Sequence, residues 1–299
     1  MGVQVEAFAK VNLALRVLSR RPDGFHEIDT LFQSVSLSDT VSLERRDDGP
    51  LVTSSGLPIP LDARNLAWRA AEILREATGC PPVGIHIDKR IPVAAGLGGG
   101  SADAAAVLQG MRALFSLALE DDRLEDLAAD IGSDVPFMLR GGSARGKGRG
   151  ERLEWWPPLG GFALVLVTPA VAVSAQEAYN WVRIGLTDEA HFTKLNCSAI
   201  REGGVGALAG ALRNDLEPGV VSCCPDVARV RGAFARAGAT AILMSGSGPS
   251  VFGLVGSREE AEHLADRVRH EREPGWAIHV VEPIDSGCRV EGAKERRSE

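Results

Sequence analysis

Cysteine is scarce in this chain of 299 residues: Cys80, Cys197, Cys223, Cys224 and Cys288, with no CxxC pair. An odd and scattered set excludes a disulfide framework and zinc-type spacing, and it suits a reducing cytoplasm. Long apolar runs are missing too; none approaches the roughly 20 residues that span a bilayer. The opening MGVQVEAFAKVNLALRV alternates like a strand and lacks the basic stretch and apolar core of a signal peptide. Glu6 stands where a myristoylation motif needs Ser or Thr. No membrane association is therefore expected, and a bacterial cytoplasm is the expected location. The histidines (His26, His86, His191, His263, His270, His279) form no HExxH and do not cluster with cysteine, which argues against a catalytic metal cage. Basic charge is not in excess: 33 Lys and Arg face 40 Asp and Glu, a net −7. That balance argues against a nucleic-acid partner and leaves an anionic small molecule open.

What is present is an ordinary globular composition, 44% hydrophobic and 24% charged, long enough for a large core. Residues 3–17 and 35–43 alternate as strands. From Asn65, a capping residue, apolar positions keep helical spacing up to Gly79, placed for a left-handed end. VGIHI (Val83 to Ile87) reads as a strand, and SADAAAVLQGMRALF (Ser101 to Phe115) as a helix. Another helix closes at Gly132. Further on, FALVLVT (162–168) is a buried strand, helices fall around 174–183 and 204–214, and Pro225 opens one that Gly238 ends. TAILM and VFGLV are strands flanking SGSGPS, Ser257 and Glu260 make a capping box for a helix over 258–271, and WAIHVVEPI is the last strand. A β-rich first half and a mixed second half predict two α+β units meeting near 155–161, with a polar, frayed tail from Ser286.

Between the VGIHI strand and the alanine-rich helix lies PVAAGLGGGSADAA, Pro92 to Ala105. Free N–H groups and the positive dipole end at a helix start, with glycines allowing close approach, make a phosphate cradle. Ser101 adds a hydroxyl for a phosphate or a magnesium ion. The dinucleotide pattern GxGxxG fits Gly96 and Gly98 but would need a third glycine at Ser101. GGSARGK, Gly141 to Lys147, fits seven places of a nucleotide P-loop and fails at the eighth, Gly148, with no helix following. Ser247 lacks the GxSxG context of a nucleophile elbow.

Two charged residues remain. Lys10 interrupts an apolar strand pattern, and Asp134, in GSDVPF, sits at a helix start. Taken alone, a solvent-facing edge lysine and a plain helix cap explain them. Side by side, the carboxylate could take a proton from a substrate hydroxyl while the ammonium steadies the developing charge.

AKVNL (9–13), PVAAGLGGGSADAA (92–105) and SGSGPSVFGL (245–254) together resemble the three motifs of the kinase superfamily named for galactokinase, homoserine kinase, mevalonate kinase and phosphomevalonate kinase. The resemblance covers about residues 5–283. RPDGFHEIDTLFQSVSLSD (21–39) and GSDVPF (132–137) resemble the branch that phosphorylates the 2-hydroxyl of a cytidine-diphosphate-linked methylerythritol in the non-mevalonate route to isoprenoids. It implies a two-domain α+β fold with the site in the cleft between units. A ribosomal-S5-like α/β unit (1–158) would bind ATP, a ferredoxin-like α+β unit (159–285) would serve the acceptor, and 286–299 would be a flexible tail. Lys10 and Asp134 match the catalytic pair. Pro92, Val93, Ala94, Ala95, Gly96, Leu97, Gly98, Gly99, Gly100, Ser101 and Ala102 match the ATP phosphate loop, with Asn65, Leu66 and Lys89 toward the adenosine. Asn12 would face the methylerythritol diphosphate. His26 would read the cytosine edge, Phe25 and Tyr179 would stack on its ring, and Ser245, Gly246, Ser247 and Gly248 would close over the acceptor phosphates. ATP and Mg2+ are the implied cofactors, the partner is the small-molecule acceptor, and the working form is a monomer or homodimer. The family usually reads Asp-Gly-Tyr-His where this chain has Phe25. From the residues alone, Phe25 reads as a core anchor, His26 as a turn residue and Tyr179 as a half-buried helix residue. Three rivals remain: another kinase of the superfamily, an inactive nucleotide-binding module, and a dinucleotide-dependent oxidoreductase.

Overall fold

The computed structural model describes residues 2–182 and 204–291; His191, Cys197 and the last residue of the helix expected over 174–183 lie outside them. Its dominant feature is an antiparallel hairpin of two long strands, β1 (Gly2–Arg20) and β2 (His26–Arg45). Gly24 turns between them at φ 87°. The pairing slips at three places, Phe8/Ala9, Asn12/Ala14 and Val17/Ser19. Such bulges add twist and let strands this long curve around a core. β2 begins earlier than alternation predicted, because its two halves serve different neighbours. Thr40–Arg45 pairs with β4 (Val83–Lys89), and Ile28–Gln33 pairs with β5 (Ser143–Gly148). β3 (Leu51–Gly56) lies parallel to β4, and β6 (Arg152–Trp156) completes a hairpin with β5.

Four helices follow in this part of the chain, α1 (Leu66–Thr78), α2 (Gly99–Leu114), α3 (Asp121–Ile131) and α4 (Val135–Arg140). The α1 caps form as expected: Asn65 Oδ1 accepts from the Ala67 N–H at 2.9 Å, and Gly79 is left-handed at φ 70°. Gly132 ends α3 in an extended conformation, φ −179°, so it supplies no left-handed cap. The alanines of α2 serve packing as much as propensity. Ala102, Ala104, Ala105 and Ala106 are wholly buried, and a Cβ on Gly110 would come within 2.4 Å of Leu43 Cδ1.

A second, four-stranded antiparallel sheet has the order β11–β7–β10–β9: Ala277–Val281, Ala163–Thr168, Val251–Val255 and Ile242–Met244. The alternation of β7 separates two cores. Leu164 and Leu166 join the core of the first sheet, whereas Ala163, Val165 and Val167 join one with Val227, Phe234 and Leu264. The other described helices are α5 (Ala175–Asn180), α6 (Gly204–Ala211), α7 (Glu217–Cys223), α8 (Pro225–Arg236) and α9 (Arg258–His270). α7 was not anticipated from the sequence; it packs so tightly that a Cβ on Gly219 would meet the Trp181 carbonyl at 2.5 Å. Ser257 caps α9, but Glu260 reaches back to the Gly256 N–H, one residue further than a capping box does.

The expected flexible tail from 286 is corrected for its first part. Residues Cys288–Glu291 form β12, antiparallel to β1 with Cys288 opposite Ala7 and Glu291 opposite Gln4. The Phe8 N–H donates to the Gly287 carbonyl at 3.0 Å, and the Gly287 N–H donates to the Arg140 carbonyl at 2.8 Å. Backbone pairing at the β1 edge overrides polar composition. β8 (Arg213–Asn214) also joins β1, in parallel, so the chain returns twice to the first sheet after residue 159.

Beneath the glycine loop the Lys89 Nζ donates at 2.6 Å to both Asp39 Oδ2 and Asp103 Oδ2. All three residues are buried. Asp39 Oδ1 accepts from the N–H groups of Arg90 and Ile91 at 2.6 and 2.8 Å, whereas Asp103 Oδ1 has no partner. Burial pushes the Asp103 carboxyl from the ordinary 3.8 up to about 7; Lys89 opposes that and Asp39 adds to it. The folded protein thus holds this proton more tightly than the unfolded chain, and the corresponding stability is lost as pH rises between those two values. Thermal melts of wild type and Asp103→Asn should show a difference that moves in favour of the variant from pH 5 to pH 8. A difference independent of pH would mean an ordinary Asp103.

Candidate active site

The loop Pro92–Gly98 leaves the β4 end and feeds the α2 N-terminus. Gly96 and Gly98 are left-handed at φ 73° and 70°, and Ala94 shares that region at φ 51°. Gly96 lies where a Cβ would sit 2.0 Å from the Ser245 carbonyl oxygen. The loop borders a cleft of about 270 Å³ reaching Asn65, Leu66, Ser101 and the Lys89 stem. The first-turn amides of α2, free of helical partners, supply donors for an anion there. Two of the residues expected toward the adenosine line this cleft and also have protein partners. The Lys89 ammonium is held by Asp39 and Asp103. The Asn65 side chain caps α1 and donates to the Pro60 carbonyl at 2.8 Å. Leu66 and Ser101 do line the cleft.

Lys10 and Asn12 share one face of β1, since side chains two apart point the same way. Lys10 is 4% exposed, which removes the reading as a solvent-facing lysine. Its Nζ stands 3.4 Å from Asp134 Oδ2 and donates to Asn12 Oδ1 at 2.6 Å. Asp134 does stand at the N-terminus of α4, yet its side chain makes no cap bond. The Asn12 Nδ2 donates to Thr30 Oγ1 at 2.7 Å, and the Thr30 hydroxyl donates to the Ala14 carbonyl at 2.7 Å. Both ends of the Asn12 amide thus have protein partners, and the residue lines the second cavity described below.

A second cavity, about 620 Å³, opens from Lys10 and Asp134 toward the β1–β2 turn. Phe25, His26, Tyr179, Gly246 and Ser247 line it as expected, and Arg20 and Arg149 were not foreseen. Phe25 is 52% exposed, so it is no core anchor, and the Arg149 guanidinium lies 4.9 Å from its ring centre. Tyr179 does not face open space: His26 stacks on it at 4.8 Å and 15°. Burial, with Arg20 adding to it, pulls the His26 imidazole below its usual range, which favours the neutral ring. Burial and then the Asp134 charge push the Tyr179 phenol well up. Ser245 and Gly248 are absent from the lining of this cavity. The Ser245 hydroxyl is buried, donating to the Gly96 carbonyl at 3.0 Å and accepting from the Asn12 N–H at 3.2 Å. A Cβ on Gly248 would meet Met244 Sδ at 2.6 Å. Arg149 directly follows the segment that resembles a P-loop; in the structure most of that segment is β5, and the turn between β5 and β6 carries the arginine.

Gly96 and Gly98 border both cavities, and Lys10 and Asp134 line the second, with the Lys10 stem against Gly98. A phosphate seated on the loop would therefore face a molecule seated in the second cavity. Among the described residues no group of three His, Cys, Asp or Glu could hold a metal ion by itself.

The two glycines at 96 and 100 separate backbone strain from ordinary contact. Gly96→Ala should lower the urea midpoint, since a left-handed non-glycine alone costs about 1 kcal/mol and the new Cβ strikes backbone. Gly100→Ala, whose Cβ would meet only Leu66 Cδ1 at 3.8 Å, should leave the midpoint equal or higher. Equal midpoints for the two variants would contradict the geometry described for the loop.

Residues 65–142 match the family model described as the GHMP kinases N terminal domain, and residues 198–273 match GHMP kinases C terminal. The 4-diphosphocytidyl-2-C-methyl-D-erythritol kinase of Moorella thermoacetica is 44% identical over 88% of this chain and 93% of its own length. The protein of the same name from Gloeobacter violaceus is 43% identical over 97% of each chain. A crystal structure of 4-(cytidine 5'-diphospho)-2C-methyl-D-erythritol kinase superimposes with TM-score 0.74 at 34% identity, covering 93% of this chain and 99% of that one. Homoserine kinase from Cytophaga hutchinsonii superimposes with TM-score 0.79 at 22% identity over 97% of each chain, a likeness of fold alone. By sequence and by fold, this chain belongs to the GHMP kinases and, within them, to the family of 4-diphosphocytidyl-2-C-methyl-D-erythritol kinases.

Proposed function

We propose that the protein transfers the γ-phosphoryl group of ATP to the 2-hydroxyl of 4-diphosphocytidyl-2-C-methyl-D-erythritol, with Asp134 and Lys10 at the point of transfer. The observation that carries this reading is the shared border of the two cavities at Gly96 and Gly98, beside the 3.4 Å Lys10–Asp134 pair. Phosphoryl transfer asks the protein mainly for positioning and charge stabilisation. The loop amides and the α2 dipole hold the phosphates. Asp134 accepts the proton of the acceptor hydroxyl, and Lys10, placed between Asn12 and Asp134, steadies charge on the moving group.

A neutral His26 offers one donor and one acceptor, which suits the N3 acceptor and N4 donor of cytosine. The base stacks against Phe25 and Tyr179, and it gains the Tyr179 face by displacing the imidazole that covers it. Phe25 supplies the ring but no phenolic hydroxyl. Arg20 and Arg149 suit the acceptor diphosphate. The acceptor side thus draws on the β1–β2 hairpin as much as on residues 159–285.

Mg2+ arrives with the nucleotide on this reading. Such an ion needs only one or two protein oxygens beside phosphate and water, and the Ser101 hydroxyl and Asp134 carboxylate fit that donor set. Bound there, it supplies neutralisation of phosphate charge. No helix among the described residues is long and apolar enough to cross a membrane. A cytoplasmic monomer or homodimer acting on a small molecule, with no nucleic-acid partner, completes the proposal.

Asp134→Ala should reduce kcat by at least about a hundredfold in a coupled ADP-release assay with the cytidine-linked substrate, while ATP still binds by calorimetry; undiminished turnover would remove Asp134 from the mechanism. His26→Ala should raise KM for the cytidine substrate and leave KM for ATP in place. Equal losses for both substrates would refute its role as the base reader. Turnover of homoserine or mevalonate in place of the cytidine substrate would overturn the assignment as a whole.

A further inference from the structure

Thr30 is wholly buried on β2, beneath the site, and nothing above gives it a part in the reaction. The strand register explains where its hydroxyl goes. Asn12 pairs with Phe32, but the slip between Asn12 and Ala14 puts Ala14 opposite Leu31 and Leu15 opposite Thr30. The Thr30 oxygen then lies 2.7 Å from the Ala14 carbonyl and 2.7 Å from Asn12 Nδ2.

The direction of each bond in this chain is forced. A carbonyl only accepts, so the single Thr30 hydrogen goes to Ala14. The Thr30 oxygen is left as an acceptor and takes a hydrogen from the Asn12 amide. The Asn12 NH2 therefore faces Thr30, and the carbonyl oxygen of the amide faces Lys10, 2.6 Å from the ammonium. Turned over, the amide would set its NH2 against an ammonium and its oxygen against an oxygen that has no hydrogen to give. We propose that Thr30 is a positioning residue for phosphoryl transfer, fixing the Asn12 amide so that its oxygen holds the Lys10 ammonium toward Asp134. The proposal rests on Lys10 acting at the point of transfer.

The test compares Thr30→Val, which keeps the shape and loses the hydroxyl, with Thr30→Ser, which keeps the hydroxyl and loses a methyl. Steady-state kinetics use ATP, Mg2+ and the cytidine-linked methylerythritol, with wild type and Lys10→Met alongside. Misplacement of a reacting group by a fraction of an ångström costs roughly tenfold or more in rate. Thr30→Val should therefore lose about that factor in kcat, with KM for ATP within about twofold of wild type, and Thr30→Ser should stay within about threefold of wild-type kcat. A role in folding alone would not separate kcat from KM, nor be rescued by serine. Should Thr30→Val fail to give a native circular-dichroism spectrum, Thr30→Ala against Thr30→Ser makes the same comparison. Wild-type kcat without the hydroxyl, or equal losses with and without it, overturns the proposal. Full activity in Lys10→Met would instead overturn the reading of Lys10, and this proposal with it.

Discussion

One buried ammonium holds the phosphate loop in shape. Lys89 is surrounded by protein, and a charge in such a place is tolerable only when paired and hydrogen-bonded. It is shared by Asp39 on β2 and Asp103 near the start of α2. Asp39 also binds the two backbone N–H groups that follow β4, at Arg90 and Ile91. The strand that enters the loop, the helix that leaves it and the central strand of the sheet are thereby joined at one point. Gly99 passes so close that a Cβ there would come within 3.0 Å of the Lys89 Nζ. The other side of the loop is set by Ser245, which bonds both β1 and Gly96. The glycines are small because the loop is gripped from two directions, and the left-handed backbone follows from that grip.

Fold and substrate choice separate cleanly. Homoserine kinase matches this backbone with a higher TM-score than the kinase that shares the family name, at lower sequence identity. The backbone is thus common to chains whose sequences differ widely. On the proposed function, what distinguishes this chain is carried at one end of the hairpin, in Phe25, His26 and the nearby arginines that line the second cavity with Tyr179. Exposed side chains on a turn can change without disturbing the ion cluster or the helix below.

Features set by short-range chemistry were legible in the sequence. The caps of α1, the loop-to-helix junction at Gly98 and the strands around SGSGPS depend on neighbours within a few residues. The direction of a polar side chain was not legible, because it depends on partners far away in sequence. Lys89 and Ser245 carry groups that suit a nucleotide or a phosphate, yet both point into the protein, toward Asp39 and Asp103 in one case and Gly96 in the other. Asn12 likewise supports Lys10. Arg149 follows a segment that matched a motif for the wrong reason, and nothing local showed that a hairpin turn would bring it over Phe25. β12 was missed because four residues in a polar tail give almost no periodicity, and the β1 edge that recruits them lies at the opposite end of the chain.

That last strand ties the order of synthesis to the assembly of the site. β1 carries Lys10, and α4 begins directly after Asp134; the segment at Gly287 bonds to Phe8 on the one and to Arg140 at the end of the other. While a ribosome is still making residues before 287, both elements lack this common brace. The β1 edge over Gln4–Ala7 stays open until the last described strand emerges. A nascent chain can fold its alanine-rich helix and hairpin early, but it completes the setting of Lys10 and Asp134 only after residues 287–291 have emerged. A chain of this design that is cut short before Gly287 thus lacks the brace between the two elements.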